Sequence, residues 1–231
     1  MRKKQSNDYN TRLFSAGLRG RFHYARFEWL RQSLSELGGP QGTVLELGCY
    51  DGKTINFLGT KPQRYLGFDE NWEGGLPIAR ELWAAEKGYE LRSCSSPAEM
   101  LTDECFDLSI CMETLEHVPP AFIEPYIARM AELTRGHILI TVPTEKGPVF
   151  AAKYLYKRLF GNYQPYTLAE YFNASLGRLH KVERNDHKGF DYQIVIEAVR
   201  KHFRIIKTTP YPLQALPLAL GFGIGIVGAK R

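Results

Sequence analysis

The chain has 231 residues, 44% hydrophobic and 24% charged, with a formal net charge of +5. That length supports one well-buried core with a cap and leaves little room for a second independent domain, and the composition excludes wholesale disorder. Cys49, Cys94, Cys105 and Cys111 have no C-x-x-C spacing and each sits in or beside an apolar run, so buried free thiols in a reducing cytoplasm fit them better than disulfides or zinc ligands.

The N-terminus is crowded with cations: Arg2, Lys3, Lys4, Arg12, Arg19, Arg21, Arg26 and Arg31 stand against only Asp8 and Glu28. Such an arm either meets an anionic partner or forms the solvated face of a helix. It lacks the apolar stretch and cleavage site of a secretory signal. From about Phe22 to Leu37 a helix is predicted, because Phe27, Leu30, Leu34 and Leu37 fall on one face before Gly38-Gly39-Pro40 stops it. It should pack on a sheet edge.

Thr43 to Leu47 reads as a buried strand, and Gly48-Cys49-Tyr50-Asp51-Gly52 as a tight turn into a helix beginning near Lys53. A second strand, Tyr65 to Asp69, follows. Pro77 fits the first turn of a helix from Ile78 to Lys87, with Gly88 as its C-terminal cap. Strands at Tyr89 to Arg92, Phe106 to Met112 and His137 to Val142 continue the alternation, with a helix from about Ala121 to Thr134. This order builds a doubly wound, Rossmann-like α/β fold on a mostly parallel seven-stranded sheet.

Ligands of such sheets bind beyond the carboxyl ends of the strands. The spacing G-x-G-x-x-G is absent, since Tyr50 and Lys53 stand at the second and third glycine positions, and no phosphate-cradling P-loop occurs. What remains is E-L-G-C-Y-D-G, whose Glu46 and Asp51 would repel a pyrophosphate and attract the ammonium of an amino-acid moiety, the charge that S-adenosylmethionine presents. The segment resembles motif I of class I S-adenosylmethionine-dependent methyltransferases. Asp69, 21 positions beyond Gly48, is similar to that family's ribose-binding acid at the end of the second strand, where two acceptor oxygens suit a vicinal diol.

The resemblance implies a cofactor site built from Glu46, Gly48, Cys49, Asp51 and Gly52, then Asp69 and Glu70, then Ser95 and Ser96, and finally Cys111 and Met112. One departure is the stretch Ser93-Cys94-Ser95-Ser96-Pro97, which lacks the acid that many members place after the third strand for adenine. A serine is its stand-in.

Glu113-Thr114-Leu115-Glu116-His117 follows the fourth strand. On a helix, Glu113, Glu116 and His117 at i, i+3 and i+4 would share one face. Two carboxylates and an imidazole suit Mg²⁺, Mn²⁺ or Zn²⁺, with His187 as a fourth ligand. This segment with the distant Asp186-His187 resembles both the ubiquinone-pathway O-methyltransferases, over Cys111 to Pro119, and the metal-dependent small-RNA 2′-O-methyltransferases. Three readings stay open: a metal centre of Glu113, Glu116, His117 and His187; His117 as a metal-free general base; and a purely structural role.

Val142-Pro143-Thr144-Glu145-Lys146-Gly147 then offers Glu145 and Lys146 as acceptor contacts or as a solvated turn. Residues 143–190 read as a substrate cap with helices near Val149 to Phe160 and Thr167 to Leu176, where Tyr154, Tyr156, Tyr163 and Tyr166 either stack on an acceptor or glue the cap down. A helix at Tyr192 to His202 and strands at Phe203 to Thr208 and Leu220 to Val227 complete the sheet. The uncharged stretch between Thr208 and Ala229 is broken by Pro210, Pro212 and Pro217, and Gly221, Gly223 and Gly225 alternate at strand period, so a core strand is expected rather than a membrane segment.

The chain thus divides into a basic arm and helix (residues 1–40), a cofactor-binding core (41–142), a cap (143–190) and a final helix with strands (191–231), all one domain. The tail resembles uncharacterised bacterial methyltransferases associated with envelope polysaccharides, which implies O-methylation of a saccharide or glycolipid hydroxyl. A quinone or phenol acceptor is the alternative, with the greasy tail making a peripheral contact at the inner face of the membrane. An RNA 2′-hydroxyl comes third, since no RNA-binding module accompanies the domain. A non-catalytic S-adenosylmethionine-binding protein is the reading from a different class.

Overall fold

Seven strands hydrogen-bond into one sheet in the computed structural model, which describes residues 18–38, 42–160 and 165–231. In chain order the elements are α1 (Leu18–Glu36), β1 (Thr43–Leu47), β2 (Arg64–Asp69), α2 (Leu76–Leu82), β3 (Tyr89–Ser93), β4 (Phe106–Met112), α3 (Pro120–Glu132), β5 (Thr134–Pro143), α4 (Gly147–Phe160), α5 (Leu168–Ser175), α6 (Tyr192–His202), β6 (Phe203–Tyr211) and β7 (Gly223–Lys230). The spatial order is β3-β2-β1-β4-β5-β7-β6. The first five strands are parallel, and β7 runs antiparallel to both β5 and β6.

β1, β2 and β4 carry the near-continuous apolar runs of strands covered on both faces. Leu45, Leu47, Leu66 and Phe68 point into one core with Ile127 and Met130 of α3 and Val195 and Val199 of α6. Val44, Tyr65, Leu108 and Ile110 point into the other, with Phe27, Trp29 and Leu30 of α1. The expected docking of α1 on a sheet edge is realised at the β6–β7 hairpin. The Trp29 indole lies so close over Gly225 that a Cβ there would come within 2.0 Å, and its Nε1 donates to Thr209 Oγ1 at 2.9 Å. The glycine alternation of the tail therefore belongs to a buried strand that an aromatic ring covers. Among the described residues no helix is long and apolar enough to cross a membrane.

Several expectations are corrected. The helix read from Lys53 onwards is only a 3₁₀ turn, Lys53–Phe57, before Gly59 at φ +82°. The next helix ends at Leu82, and Gly88 is no cap: a Cβ on it would come within 2.0 Å of the Gln63 carbonyl oxygen, so glycine lets the start of β2 pass closely. Cys105 is exposed, whereas Cys49, Cys94 and Cys111 are buried free thiols. Of the cationic arm, Arg2, Lys3, Lys4 and Arg12 lie outside the described residues, as does Tyr163 in the cap.

Candidate active site

At the carboxyl ends of β1, β2 and β4 lies a crevice with two lobes, of about 100 Å³ and 340 Å³, both lined by Gly48, Asp69, Trp72, Thr114 and His117. Backbone geometry shapes its floor. Gly48 (φ +79°) leaves β1 with its N–H on the Phe68 carbonyl, and a Cβ there would lie 1.9 Å from Thr114 Oγ1. Only glycine tolerates both the left-handed backbone and the overlying threonine. Tyr50 adopts φ +46°, and its ring covers Gly75.

Asp69 ends β2. Its Oδ2 accepts from Tyr50 N–H at 2.8 Å and its Oδ1 from Asn71 N–H at 2.6 Å, so both oxygens are fixed and keep lone pairs for a further donor. Burial pushes this carboxyl above its ordinary value, against those two backbone donors. Asp51, Glu73 and the cations Arg26 and Lys53 line the smaller lobe, and Glu70 and Cys94 the larger.

Glu46 is not among the lining residues. It is fully buried on the α1 face of β1 and accepts from the Tyr65 hydroxyl. Burial pushes its carboxyl up to about 7, with Asp69 and Asp51 adding to the effect. A side chain two residues before the turn alternates into the core, and the acids that line the crevice are Asp69 at the end of β2 and those of the loops, Asp51, Glu70, Glu73, Glu113 and Asp186. Ser95 and Ser96 also turn elsewhere, Ser95 N–H and Ser96 Oγ both donating to Glu99. Cys111 and Gly52 are buried and absent from the lining, while Cys49 and Met112 contribute to it.

The segment after β4 is a turn, with Glu113 at φ +51°, and the helical i, i+3, i+4 arithmetic fails there. Glu113 accepts instead from the buried Tyr211 hydroxyl at the end of β6. Glu116, His117 and His187 do converge: one ligand atom from each lies within 4.8 Å of the others. Glu116 is completely buried with neither carboxylate oxygen hydrogen-bonded, and burial together with the Glu113 charge raises its pKa. His187 Nδ1 is buried without a partner, and burial pushes this imidazole down to about 4. Unpaired buried oxygens beside imidazole nitrogens are a donor set for a hard or borderline divalent cation.

His117 is held by groups that sequence reasoning missed. Its Nδ1 lies 2.5 Å from Asp186 Oδ1, its Nε2 lies 4.0 Å from Glu116 Oε1, and its ring sits 5.1 Å from that of Trp72 and 4.4 Å from that of His187. A carboxylate on Nδ1 fixes the proton there and leaves the Nε2 lone pair facing the cluster. Burial opposes ionisation of Asp186, yet the His117 contact keeps its carboxyl below the ordinary value. Asp186 occupies a left-handed turn at φ +52°, a constraint with no distinctive sequence signal. Arg26, Phe27, Trp72 and Thr114 were likewise invisible, because their place in the lining depends on how α1 and the loops pack.

Glu145 and Lys146 do not line the crevice. Glu145 is buried and paired with Lys153 at 2.8 Å, and Lys146 with Asp191 at 2.6 Å. Tyr154 and Tyr166 pack with Phe150 and Tyr171 inside the cap, so they hold it together, while Tyr156 is exposed.

No family model matches the chain. Over 111 residues it is 32% identical to a ubiquinone biosynthesis O-methyltransferase of Bordetella pertussis, which covers 46% of this chain and 44% of that protein. Over 103 residues it is 35% identical to the protein of the same name in Photobacterium profundum, covering 42% of each. The match therefore spans less than half the length of these relatives. Among solved structures, the N-methyltransferase NodS from Bradyrhizobium japonicum WM9 in complex with S-adenosyl-L-homocysteine superposes with a TM-score of 0.60 at 15% identity, covering 98% of this chain and 99% of that one. Magnesium protoporphyrin IX methyltransferase from Synechocystis PCC 6803 gives 0.62 at 14%, covering 98% and 96%. The chain has the fold of class I S-adenosylmethionine-dependent methyltransferases.

Proposed function

We propose that this chain is an S-adenosylmethionine-dependent methyltransferase acting on a hydroxyl, with a phenolic acceptor favoured by the names of its sequence relatives. The observation that carries the reading is the crevice at the carboxyl ends of β1, β2 and β4, where the fixed carboxylate of Asp69 faces the Gly48 turn and the acids Asp51 and Glu73 lie beside the cations Arg26 and Lys53.

S-adenosylmethionine supplies an electrophilic methyl group and presents a ribose diol, an ammonium and a carboxylate. The residues present fit those groups. Asp69 would accept from the two ribose hydroxyls, Asp51 and Glu73 would meet the ammonium, and Arg26 and Lys53 would meet the carboxylate. Trp72 packs against His117, and both side chains line the two lobes. His117 takes the acceptor's proton on Nε2, because Nδ1 is committed to Asp186. Asp186, whose carboxyl the His117 contact keeps below its ordinary value, stabilises the imidazolium that results.

Glu116, His117 and His187 are also the residues that would hold a divalent cation. When bound there, such an ion lowers the pKa of a coordinated hydroxyl. Metal analysis of dialysed protein, paired with turnover in chelator, tests this second reading. Retained metal and chelator-sensitive turnover support it, and full activity without metal removes it.

The test of the main reading is release of S-adenosylhomocysteine by the full chain from phenolic acceptors, with free saccharides, the acceptor implied by the tail, and RNA run alongside. Turnover on a catechol that Asp69→Asn and His117→Ala abolish supports the proposal. Cofactor binding with no turnover on any acceptor class supports a binding module instead.

A further inference from the structure

Asp186 and His187 reach the crevice on a short turn between the cap and α6. Asn185 and Lys188 close it by exchanging backbone hydrogen bonds at 3.0 and 2.9 Å. Asp186 is left-handed at φ +52°, and so is Gly189 at φ +73°, where a Cβ would come within 3.1 Å of the Glu183 carbonyl oxygen. On the crevice side, Asp186 Oδ1 lies 2.5 Å from His117 Nδ1, and Arg184 Nη2 donates to the Glu116 carbonyl at 2.5 Å. The opposite side of the turn is fastened by one carboxylate from the cap.

Glu170 is the third residue of α5, and the capping box with Thr167 occupies only its Oε2, which accepts from the Thr167 N–H at 2.9 Å and the Thr167 hydroxyl at 3.0 Å. Its Oε1 accepts from the Glu183 N–H at 3.3 Å and from Lys188 Nζ at 2.8 Å. Those two donors stand at opposite ends of the turn, one before Arg184 and one after His187, so a single oxygen ties the ends together. The Glu170–Lys188 pair is shielded: each side chain is 12% exposed, and the ammonium lies 5.2 Å from the centre of the Tyr166 ring. A charge-assisted pair so little exposed is stronger and better fixed than one at the surface. We propose that Glu170 is a positioning residue for the active site, acting through the turn at residues 183–188 to hold Asp186 against His117 and to keep His187 beside it. Its effect on turnover rests on the proposed methyl transfer, whereas its effect on the two imidazoles does not. A role in capping α5 alone is the competing explanation, and two neighbours separate the roles: Thr167 serves only the cap, and Lys188 only the turn.

Imidazole proton–nitrogen correlation spectra of the full chain, recorded in chelator without substrate, read the tautomers of His117 and His187. The wild type should show His117 protonated on Nδ1 alone. Glu170→Gln and Lys188→Met should each turn that signal into a mixture of tautomers. Both should also lower kcat by about tenfold or more, with cofactor affinity within about threefold of wild type, because a displaced Asp186 no longer selects the Nδ1 proton. Thr167→Ala should lower the melting temperature and leave the spectrum and kcat as they are. Lys188→Met keeps the helix cap intact, so it decides the matter if Glu170→Gln folds poorly. Should no acceptor turn over, the methyl-transfer reading fails while the spectra still test the inference. Two results overturn the proposal: a His117 signal that both Glu170→Gln and Lys188→Met leave at its wild-type position, or one that Thr167→Ala shifts as far as Lys188→Met does.

Discussion

Replacing Glu46 by glutamine separates the role of this carboxyl in the fold from any role in ligand binding. In the folded chain it is sealed under β1 against the Tyr65 hydroxyl and titrates at about 7 instead of 4.5. Between those two values the folded chain keeps a proton that the unfolded chain has released. Stability therefore falls as pH rises across that window and is level on either side. At ~1.4 kcal/mol per pH unit, the full loss is about 3 kcal/mol. Glu46→Gln keeps the shape and the acceptor for Tyr65 but carries no ionisation. Urea unfolding of both proteins from about pH 4 to about pH 8 should show the wild type losing about 3 kcal/mol relative to the variant, mostly before pH 7. A difference that stays constant over that range would refute the reasoning.

Three further outcomes follow from the site. Gly48→Ala should cost ~2 kcal/mol or more and abolish cofactor binding, because the new methyl meets Thr114 Oγ1 and the backbone is left-handed; a melt and a titration read both, and Thr114→Gly in the same chain should recover only the steric part. Asp186→Asn should lower kcat by about ten- to a hundredfold, with cofactor affinity within about threefold of wild type, since the residue sets the tautomer of His117; equal loss in kcat and affinity would place it in cofactor binding instead. Tyr211→Phe removes the hydroxyl that serves Glu113 in a buried setting and should cost about 1–2 kcal/mol in urea unfolding.

The parallel strands were legible because their apolar runs are short, continuous and punctuated by glycine, and Asp69 was legible because it ends one of them. Glu46 stands on the α1 face of β1 and is sealed against Tyr65, a packing that the E-L-G-C-Y-D-G motif alone does not disclose. Glu113 was assigned to a helix that its left-handed backbone rules out, and the turn that results brings Glu116 and His117 to His187 without it. Asp186, Trp72 and Arg26 come from a turn, a loop and α1, and only tertiary packing joins them to the crevice. The cap's inner tyrosines followed the ordinary rule that aromatics at such spacings pack.

Calorimetric titration of the full chain with S-adenosylmethionine, beside Asp69→Asn, bears most directly on the central claim that the crevice at β1 and β2 holds this cofactor. Saturable binding is predicted for the wild type, weakened about thirtyfold or more in the variant, the cost of about 2 kcal/mol for one charge-assisted hydrogen bond to the ribose. Absence of binding by a folded wild-type chain, or equal affinity in the two proteins, would contradict it.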